Sequence, residues 1–485
     1  MDKFSQLPEP LLLIIIANLP FKEAARNSIL SKLWRRLGRS TQIVEFNERF
    51  FVKTDAAPAD RAIQRLTFID FVRHWIDNSP KTPVGTVALT FSEPENFQQF
   101  VLDCIQFCVK HVVKQLALDF SDPAWDELGY DYHESYFDLP LDVYNHRVLE
   151  SLALFSCNFD ADLVGNFHLL KHISLGWIAL PVSLQETLLA QCRLVESLSL
   201  KKCWGMNSLD VRGNDLKLKT LVVDRCSIHY PHSFYLEAPK LNYLKFVGGD
   251  VPALTTGERS EFNFFEELDL DLSPVIDFHG SASPNSILDI LPRSLVIDFH
   301  SVASPNSILD ILPPSRKLTV CSYTLRVIIN HTEQEPIIPS PRLTVTDLTL
   351  KTTMHHHEQL GIKFFLNCCP HLETLTIKRC PEEIYEYYVT PVLKPQEMWK
   401  GTVEVYECIT RTLRMVEVKD YMGSQHELDL LSYLLTHGRI VEQLTVVTSS
   451  DEEVNGGNPE EFRLKAREFL HQVEAASPKL EITVL

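Results

Sequence analysis

Val195-Glu196-Ser197-Leu198-Ser199-Leu200 is answered 23 residues later by Leu218-Lys219-Thr220-Leu221-Val222-Val223, and the same frame returns at Leu241-x-x-Leu244-x-Phe246 and Phe265-x-x-Leu268-x-Leu270. Upstream it stands at Leu149-x-x-Leu152-x-Leu154 and Leu170-x-x-Ile173-x-Leu175. The last two apolar residues of each copy are separated by a single position, the two-residue period of a strand that buries one face. The central residues, 152, 173, 198, 221, 244 and 268, recur at intervals close to 24. Weaker copies precede them at Val84-x-x-Val87-x-Leu89 and Val113-x-x-Leu116-x-Leu118 and follow at Val345-x-x-Leu348-x-Leu350, Leu372-x-x-Leu375-x-Ile377 and Leu413-x-x-Val416-x-Val418.

One short strand per interval of that length is the arrangement of a leucine-rich repeat, in which a coil buries its leucines only against its neighbours. The sequence therefore predicts an α/β solenoid whose parallel strands line a concave face. Residues between the leucines point out of that face. Lys201, Asp224, Tyr243, Lys245, Glu267, Asp269 and Asp271 are the candidates for contact with a target. The acidic trio is the sharpest local charge and would suit a basic segment. Cys157, Cys203, Cys226 and Cys380 each stand three residues beyond the last apolar residue of a copy. The chain turns off the strand there, and a small, weakly polar side chain fits the turn interior. Zinc motifs place paired cysteines roughly two to four residues apart, whereas these recur at repeat length, so their expected use is structural. The run His355-His356-His357 is expected in a solvated loop, since consecutive side chains point in different directions and make no ligand set.

The amino-terminal stretch has a different character. Leu7-Pro8-Glu9-Pro10 leads into Leu11-Leu12-Leu13-Ile14-Ile15-Ile16-Ala17, apolar nearly all round, and Leu19-Pro20 ends it. Proline is tolerated in the first helical turn and stops the helix before it elsewhere. A second helix is predicted over Phe21 to Asn27, and a third turn around Trp34, capped by Ser31 and closed by Gly38. Three short helices cannot bury this much apolar surface among themselves, so the segment needs a partner. A secretory signal does not fit, because the chain begins Met1-Asp2-Lys3 without a small-residue cleavage site. The Leu7-Pro8 entry, the Leu19-Pro20 break and the Leu30-Ser31-x-x-Trp34 ending resemble the F-box, the helical module that docks on the Skp-type adaptor of cullin-based (SCF) ubiquitin ligases. That resemblance implies an adaptor contact through Leu7, Pro8, Leu11, Ile15, Leu19, Pro20, Leu30 and Trp34. Ile14 departs from the family, which more often has a polar residue there.

Composition narrows the classes further. The chain has 485 residues, 45% hydrophobic and 23% charged, with a formal net charge of −18. Such a charge disfavours nucleic acid and anionic membranes as partners, and no run approaches the roughly 18 apolar residues of a membrane span. Eleven cysteines without a secretory signal point to reduced thiols in the nucleus or cytoplasm. No glycine-rich phosphate loop, Gly-x-Ser-x-Gly elbow or His-Glu-x-x-His pair is present, so no catalytic residue, metal or cofactor is expected.

Val275-Ile276-Asp277-Phe278-His279 through Ser294 reappears at Val296-Ile297-Asp298-Phe299-His300 through Ser315, an offset of 21 residues. A solenoid can absorb such a tandem duplication as an extra coil. Beyond Tyr406 the pattern reads as a last repeat strand, a helix from Glu427, a strand at Val441–Val446, a helix over Phe462–Ala475 and a strand at Leu480–Val484. This tail, with Glu427-Leu-x-Leu-Leu-x-Tyr-Leu-Leu at its centre, resembles the FBD domain and would cap the solenoid. Head, repeats and tail together resemble the plant F-box/FBD/leucine-rich-repeat family, with boundaries at 1–50, 51–404 (duplication at 275–315) and 405–485. Membership implies a non-catalytic substrate receptor that holds the Skp-type adaptor, and through it cullin, while the repeats capture an unknown protein substrate. Two alternatives stand beside it: a leucine-rich scaffold without ligase association, and a small-molecule co-receptor using a solenoid pocket.

Overall fold

The structure is a computed structural model and describes residues 7–17, 19, 21, 26, 33–34, 37, 42–79, 84–122, 137–206, 209–213, 215–226, 234–248, 254–255, 264–271, 312, 314–327, 343–380, 399, 405–448 and 459–485. The chain divides into two compact units, with the change falling between Lys240 and Leu241.

The first unit opens with helix α1 (Glu9–Ala17). It continues through β1 (Ile43–Asn47), α2 (Pro58–Asp77), β2 (Thr86–Thr90), α3 (Gln98–Lys110), β3 (Gln115–Asp119), α4 (Leu141–Tyr144), β4 (Ser151–Phe155) and β5 (His172–Gly176). Then come α5 (Val182–Gln191), β6 (Ser197–Lys201), β7 (Leu209–Arg212), β8 (Thr220–Asp224) and β9 (Phe234–Glu237). Strands β1 to β6 and then β8 pair in parallel, each in register with the next. Strands β7 and β9 form a separate parallel pair.

The second unit comprises β10 (Tyr243–Val247), β11 (Leu254–Thr255), β12 (Phe265–Asp271), β13 (Ser315–Val320), α6 (Ser322–Val327), β14 (Asp347–Thr352), α7 (Gln359–Cys368) and β15 (Thr374–Arg379). It ends with α8 (Glu407–Arg411), β16 (Met415–Tyr421), α9 (Gln425–His437), β17 (Gln443–Thr448), α10 (Pro459–Gln472) and β18 (Glu481–Val484). Strands β10 and β12 to β18 pair in parallel in chain order. The tail therefore extends the sheet of its unit coil by coil.

Alternation explains the stacking. In β6 Leu198 and Leu200 are buried and in β8 Leu221 and Val223 are buried, while Ser197, Ser199, Thr220 and Val222 stay half-exposed. The registers Leu198↔Leu221 and Leu200↔Val223 put leucine-type residues over one another, each burial worth about 2 kcal/mol. Chain exit from the strand uses a left-handed residue: Ser156, Trp177, Lys202 and Arg225 all have φ between 48° and 56°. Such a conformation costs a non-glycine residue about 1–2 kcal/mol. The next coil offsets it by a backbone hydrogen bond: Ser156 N–H donates to Gly176 O at 2.9 Å, Trp177 N–H to Lys201 O at 3.0 Å and Lys202 N–H to Asp224 O at 2.7 Å. Cys157, Cys203 and Cys226 fill the turn interior behind these residues, buried, and Cys380 sits half-buried at the equivalent turn.

A charge ladder runs along the strand entrances of the first unit. Lys114 and Lys171 both pair with Glu150, at 2.9 and 3.0 Å, and Lys219 pairs with Glu196 at 2.7 Å. In the second unit Glu266 pairs with Arg316 at 2.9 Å and Arg414 with Glu442 at 2.7 Å. Opposite signs thus alternate in the stacking direction. Hydrogen bonds from Lys114 and Lys171 hold the Glu150 carboxyl down from its ordinary 4.5 to about 2.

Every predicted repeat strand has a counterpart, and five of the described strands, β1, β7, β9, β11 and β13, were not anticipated. Strand β1 precedes the first recognised copy, and β13 begins at Ser315, where the frame expects a leucine. The long helix α2 also went unread. The predicted tail helix at Phe462–Ala475 is α10, three residues earlier at each end. His355-His356-His357 is a correction: His356–Glu358 forms a 3-10 turn with His355 and His356 half-buried. It is held by buried Glu358, which accepts hydrogen bonds from Ser322, Thr352 and Thr353 and lies 3.4 Å from Arg326 Nε. Outside the described residues lie Pro20, Leu30, Ser31, Gly38, most of the predicted second helix, and the duplicated stretch up to residue 311 with Asp277, His279, Asp298 and His300.

Two predictions follow from this packing. A Cβ at Gly361 in α7 would stand 2.1 Å from the Leu325 carbonyl oxygen of α6. Gly361→Ala should therefore lower stability by about 1–3 kcal/mol in urea unfolding, despite alanine's better helix propensity; unchanged stability would contradict the close approach. The second concerns Glu150, whose depressed carboxyl contributes stability above about 4.5 that fades as pH falls toward about 2. The Tm deficit of Glu150→Gln should accordingly be full at neutral pH and shrink below pH 4.5; a deficit constant across that window would refute the ladder's contribution.

Candidate functional site

The head begins with Pro8 and Pro10 around the first turn of α1; the Pro8 carbonyl accepts from Leu11 N–H at 2.9 Å and Leu12 N–H at 3.2 Å. Leu12 and Ile16, four apart, share a helix face. They pack with Trp34 and Leu37 into a small core, against which Leu19 and Leu33 are partly buried. On the other side Leu7, Leu11 and Ile14 are 36%, 47% and 58% exposed, Pro8 is exposed and Ile15 is half-buried. The all-round apolar helix is thus split: one face closes the head's own core and the other leaves a row of large apolar side chains in water, where isolated single residues would be unremarkable.

Six of the predicted adaptor-contact residues are described. Leu7, Pro8 and Leu11 lie exposed, Ile15 and Leu19 half-buried, and Trp34 is 6% exposed inside the head core. Ile14 was read only as a departure from the family, yet it is the most exposed of the apolar row. Sequence reasoning also missed how the head is tied down. Phe21, buried, meets Phe46 of β1 at 5.8 Å and Trp75 of α2 at 5.7 Å between ring centroids, and Trp75 in turn meets Phe107 of α3 at 5.7 Å. Edge-to-face contacts of this kind contribute about 0.5–1.5 kcal/mol each beyond area burial. They join the head to the first coils.

On the repeat strands of the two units the target-contact candidates are placed as follows. In the first unit Lys201, half-buried, has its ammonium 5.2 Å from the Trp177 ring centroid, and Lys202 approaches the same ring at 5.2 Å. Asp224 is the register partner of Lys201. In the second unit Tyr243, Lys245 and Glu267 are half-buried, while Asp269 and Asp271 are buried. Asp269 is paired within the chain: Lys351 Nζ lies 3.1 Å from its Oδ1 and 3.2 Å from its Oδ2. Burial alone would lower the Lys351 ammonium's pKa, but the Asp269 carboxylate overrides it and the net shift is upward. Burial, with Asp269 and Glu267 nearby, pushes the Tyr243 phenol up. The acidic trio is therefore partly neutralised from within.

Among the described residues no group of three or more His, Cys, Asp or Glu side chains is arranged to hold a metal ion. Burial pushes the Cys157, Cys192 and Cys368 thiols up to about 12, which keeps them neutral at physiological pH. A cleft of about 190 Å³ lies beside α9, lined by Trp399, Asp429, Ser432, Tyr433, Thr436 and His437. It is smaller than the about 300–1,000 Å³ of most small-molecule sites. Among the described residues no helix is long and apolar enough to cross a membrane.

Three family models match the chain: the F-box domain over residues 4–45, the leucine-rich repeats of the FBD-associated F-box protein At5g56370 over 104–258, and FBD over 403–446. "Putative F-box/LRR-repeat protein At1g56400" of Arabidopsis thaliana is 31% identical over 449 residues, covering 90% of this chain and 87% of that one. "F-box protein At3g62230" of the same plant is 29% identical, covering 92% and 90%. "Putative F-box/FBD/LRR-repeat protein At5g22670" is 24% identical over 92% and 90%. The exposed apolar row thus lies in the F-box match, strands β3 to β11 in the repeat match and β16 with most of β17 in the FBD match, and the chain belongs to the plant F-box/leucine-rich-repeat family, with an FBD domain at its carboxyl-terminal side.

Proposed function

We propose that this chain is the substrate-recognition subunit of an SCF-type E3 ubiquitin ligase. The head, residues 1–50, binds a Skp-type adaptor and through it cullin; the repeats, 51–404, hold a protein target; the FBD segment, 405–485, completes the stack. Ubiquitin transfer belongs to other subunits, so the chain needs no catalytic residue, and it works in the nucleus or cytoplasm. The observation that carries this reading is the split of α1, with Leu12 and Ile16 closed into the head core and Leu7, Leu11 and Ile14 left in water. A partner that covers this row would recover about 1.5–3 kcal/mol per side chain.

Within that reading the adaptor touches Leu7, Pro8, Leu11, Ile14 and Ile15, joined by Leu19, Pro20 and Leu30. Trp34 acts differently: it fixes the face that the adaptor meets by filling the head core. The ring contacts of Phe21 hold that face against the first coils, so a target bound on the repeats would be carried with the adaptor.

The test is co-purification with a Skp-type adaptor. Leu11→Ser combined with Ile14→Ser should weaken adaptor binding by about a hundredfold, equivalent to about 3 kcal/mol, without lowering the Tm. Trp34→Ala should lose binding for another reason, because it costs the head about 3–5 kcal/mol of core packing and exposes α1 to proteolysis. Folded wild-type chain that fails to retain the adaptor would sink the ligase reading and leave an interaction scaffold.

A further inference from the structure

Strands β14, β15 and β16 place Lys351, Lys378 and Lys419 at matching positions: Lys351 is the register partner of Lys378, and Lys378 of Lys419. Parallel strands stand about 4.8 Å apart, so three ammonium-bearing side chains leave the same sheet face at successive coils. Like charges at neighbouring strand positions repel. This chain avoids that elsewhere, alternating Lys114, Glu150 and Lys171 along one ladder and pairing Glu266 with Arg316 and Arg414 with Glu442 along another. The lysine row breaks that rule, in a protein whose net charge is −18.

The three lysines are not equivalent. Lys351 is held by both carboxylate oxygens of Asp269, and Lys419 pairs with Glu417 at 3.1 Å. Glu417 also accepts from Thr376 Oγ1 at 3.5 Å. Lys378, between them, is exposed and makes no ion pair among the described residues. In the adjoining row of outward positions stand Thr349 and Thr376, themselves register partners and both half-exposed. The result is an exposed ammonium between two tethered ammonium groups and near the Thr349 hydroxyl, an arrangement that charge-assisted hydrogen bonds to an anion would complete.

We propose that Lys378, flanked by Lys351 and Lys419, receives an anionic side chain of the captured polypeptide, a phosphorylated serine or threonine or a carboxylate. The proposal rests on the reading that this sheet face holds the target, and it reverses the preference for a basic segment that the acidic trio suggested, because Asp269 is already occupied by Lys351.

The test uses the full chain and three immobilised pools of degenerate peptides that differ only in a fixed central residue: phosphoserine, glutamate or serine. Wild-type protein should be retained by the phosphoserine and glutamate pools over the serine pool, and retention should fall with salt. The relative strength of the two anionic pools tells phosphate from carboxylate. Lys378→Glu should reduce retention about tenfold, the loss of a charge-assisted bond, whereas Lys53→Glu, the same charge change at an exposed lysine on the other unit, should not. Lys378→Gln should behave as Lys378→Glu does, with wild-type Tm, should the glutamate disturb the fold. Equal retention on all three pools, or anion retention unchanged in the folded Lys378 variants, would overturn the proposal. Adaptor co-purification of Lys378→Glu is measured in parallel and stays at the wild-type level, so the two readings fail separately.

Discussion

Each coil of this protein presents an apolar layer and a sheet edge that only the next coil can cover. That constraint sets nearly everything else. It fixes the register of neighbouring strands, since a one-residue slip would turn the Leu198/Leu200 and Leu221/Val223 pairs out of the core. It makes the left-handed exits at Ser156, Trp177 and Lys202 tolerable, because their amides are bound by the coil that follows. It also leaves the outward positions free of packing duty, so their chemistry is available for binding.

The two ends of the chain meet the same constraint differently. At the start, Phe21, Phe46, Trp75 and Phe107 form an aromatic seam between the head and the first coils. At the far end β16 and β17, and β18 after them, continue the parallel register, and the capping box of α9, with Ser424 and Glu427 bonded reciprocally, fixes the helix between β16 and β17. Glu427 also reaches back to Arg379 at 3.4 Å. The cap is built as a further coil, with Ile482 left 42% exposed on the last strand.

Much of this was legible in the sequence because the repeat period is a direct image of the stacking. Leu152, Leu198 and Leu375 announce their strands without help. Strand β13 escaped because Ser315, the last residue of the duplicated stretch, occupies the position of a leucine, and β1 because Thr41 stands where the frame expects an apolar residue ahead of Val44 and Phe46. Cys157 and Cys203 were readable as turn fillers from spacing alone. The site was less legible. A helix apolar on all sides does not say which side faces the partner, so Trp34 and the outer row were grouped together although one is core and the other surface. The internal pairing of Asp269 was hidden for a related reason: Lys351 lies 82 residues from Asp269 in the chain, and no local pattern reports a pairing across two strands.

The central claim is that the outer face of α1 is finished by an adaptor rather than by this chain. Hydrogen–deuterium exchange across residues 9–17, in the free chain and with a Skp-type adaptor, tests it most directly. The account predicts that these amides exchange readily in the free chain and slow by about tenfold or more on adaptor addition, with the coils beyond α3 unchanged. Exchange in α1 that is the same in both states would contradict it.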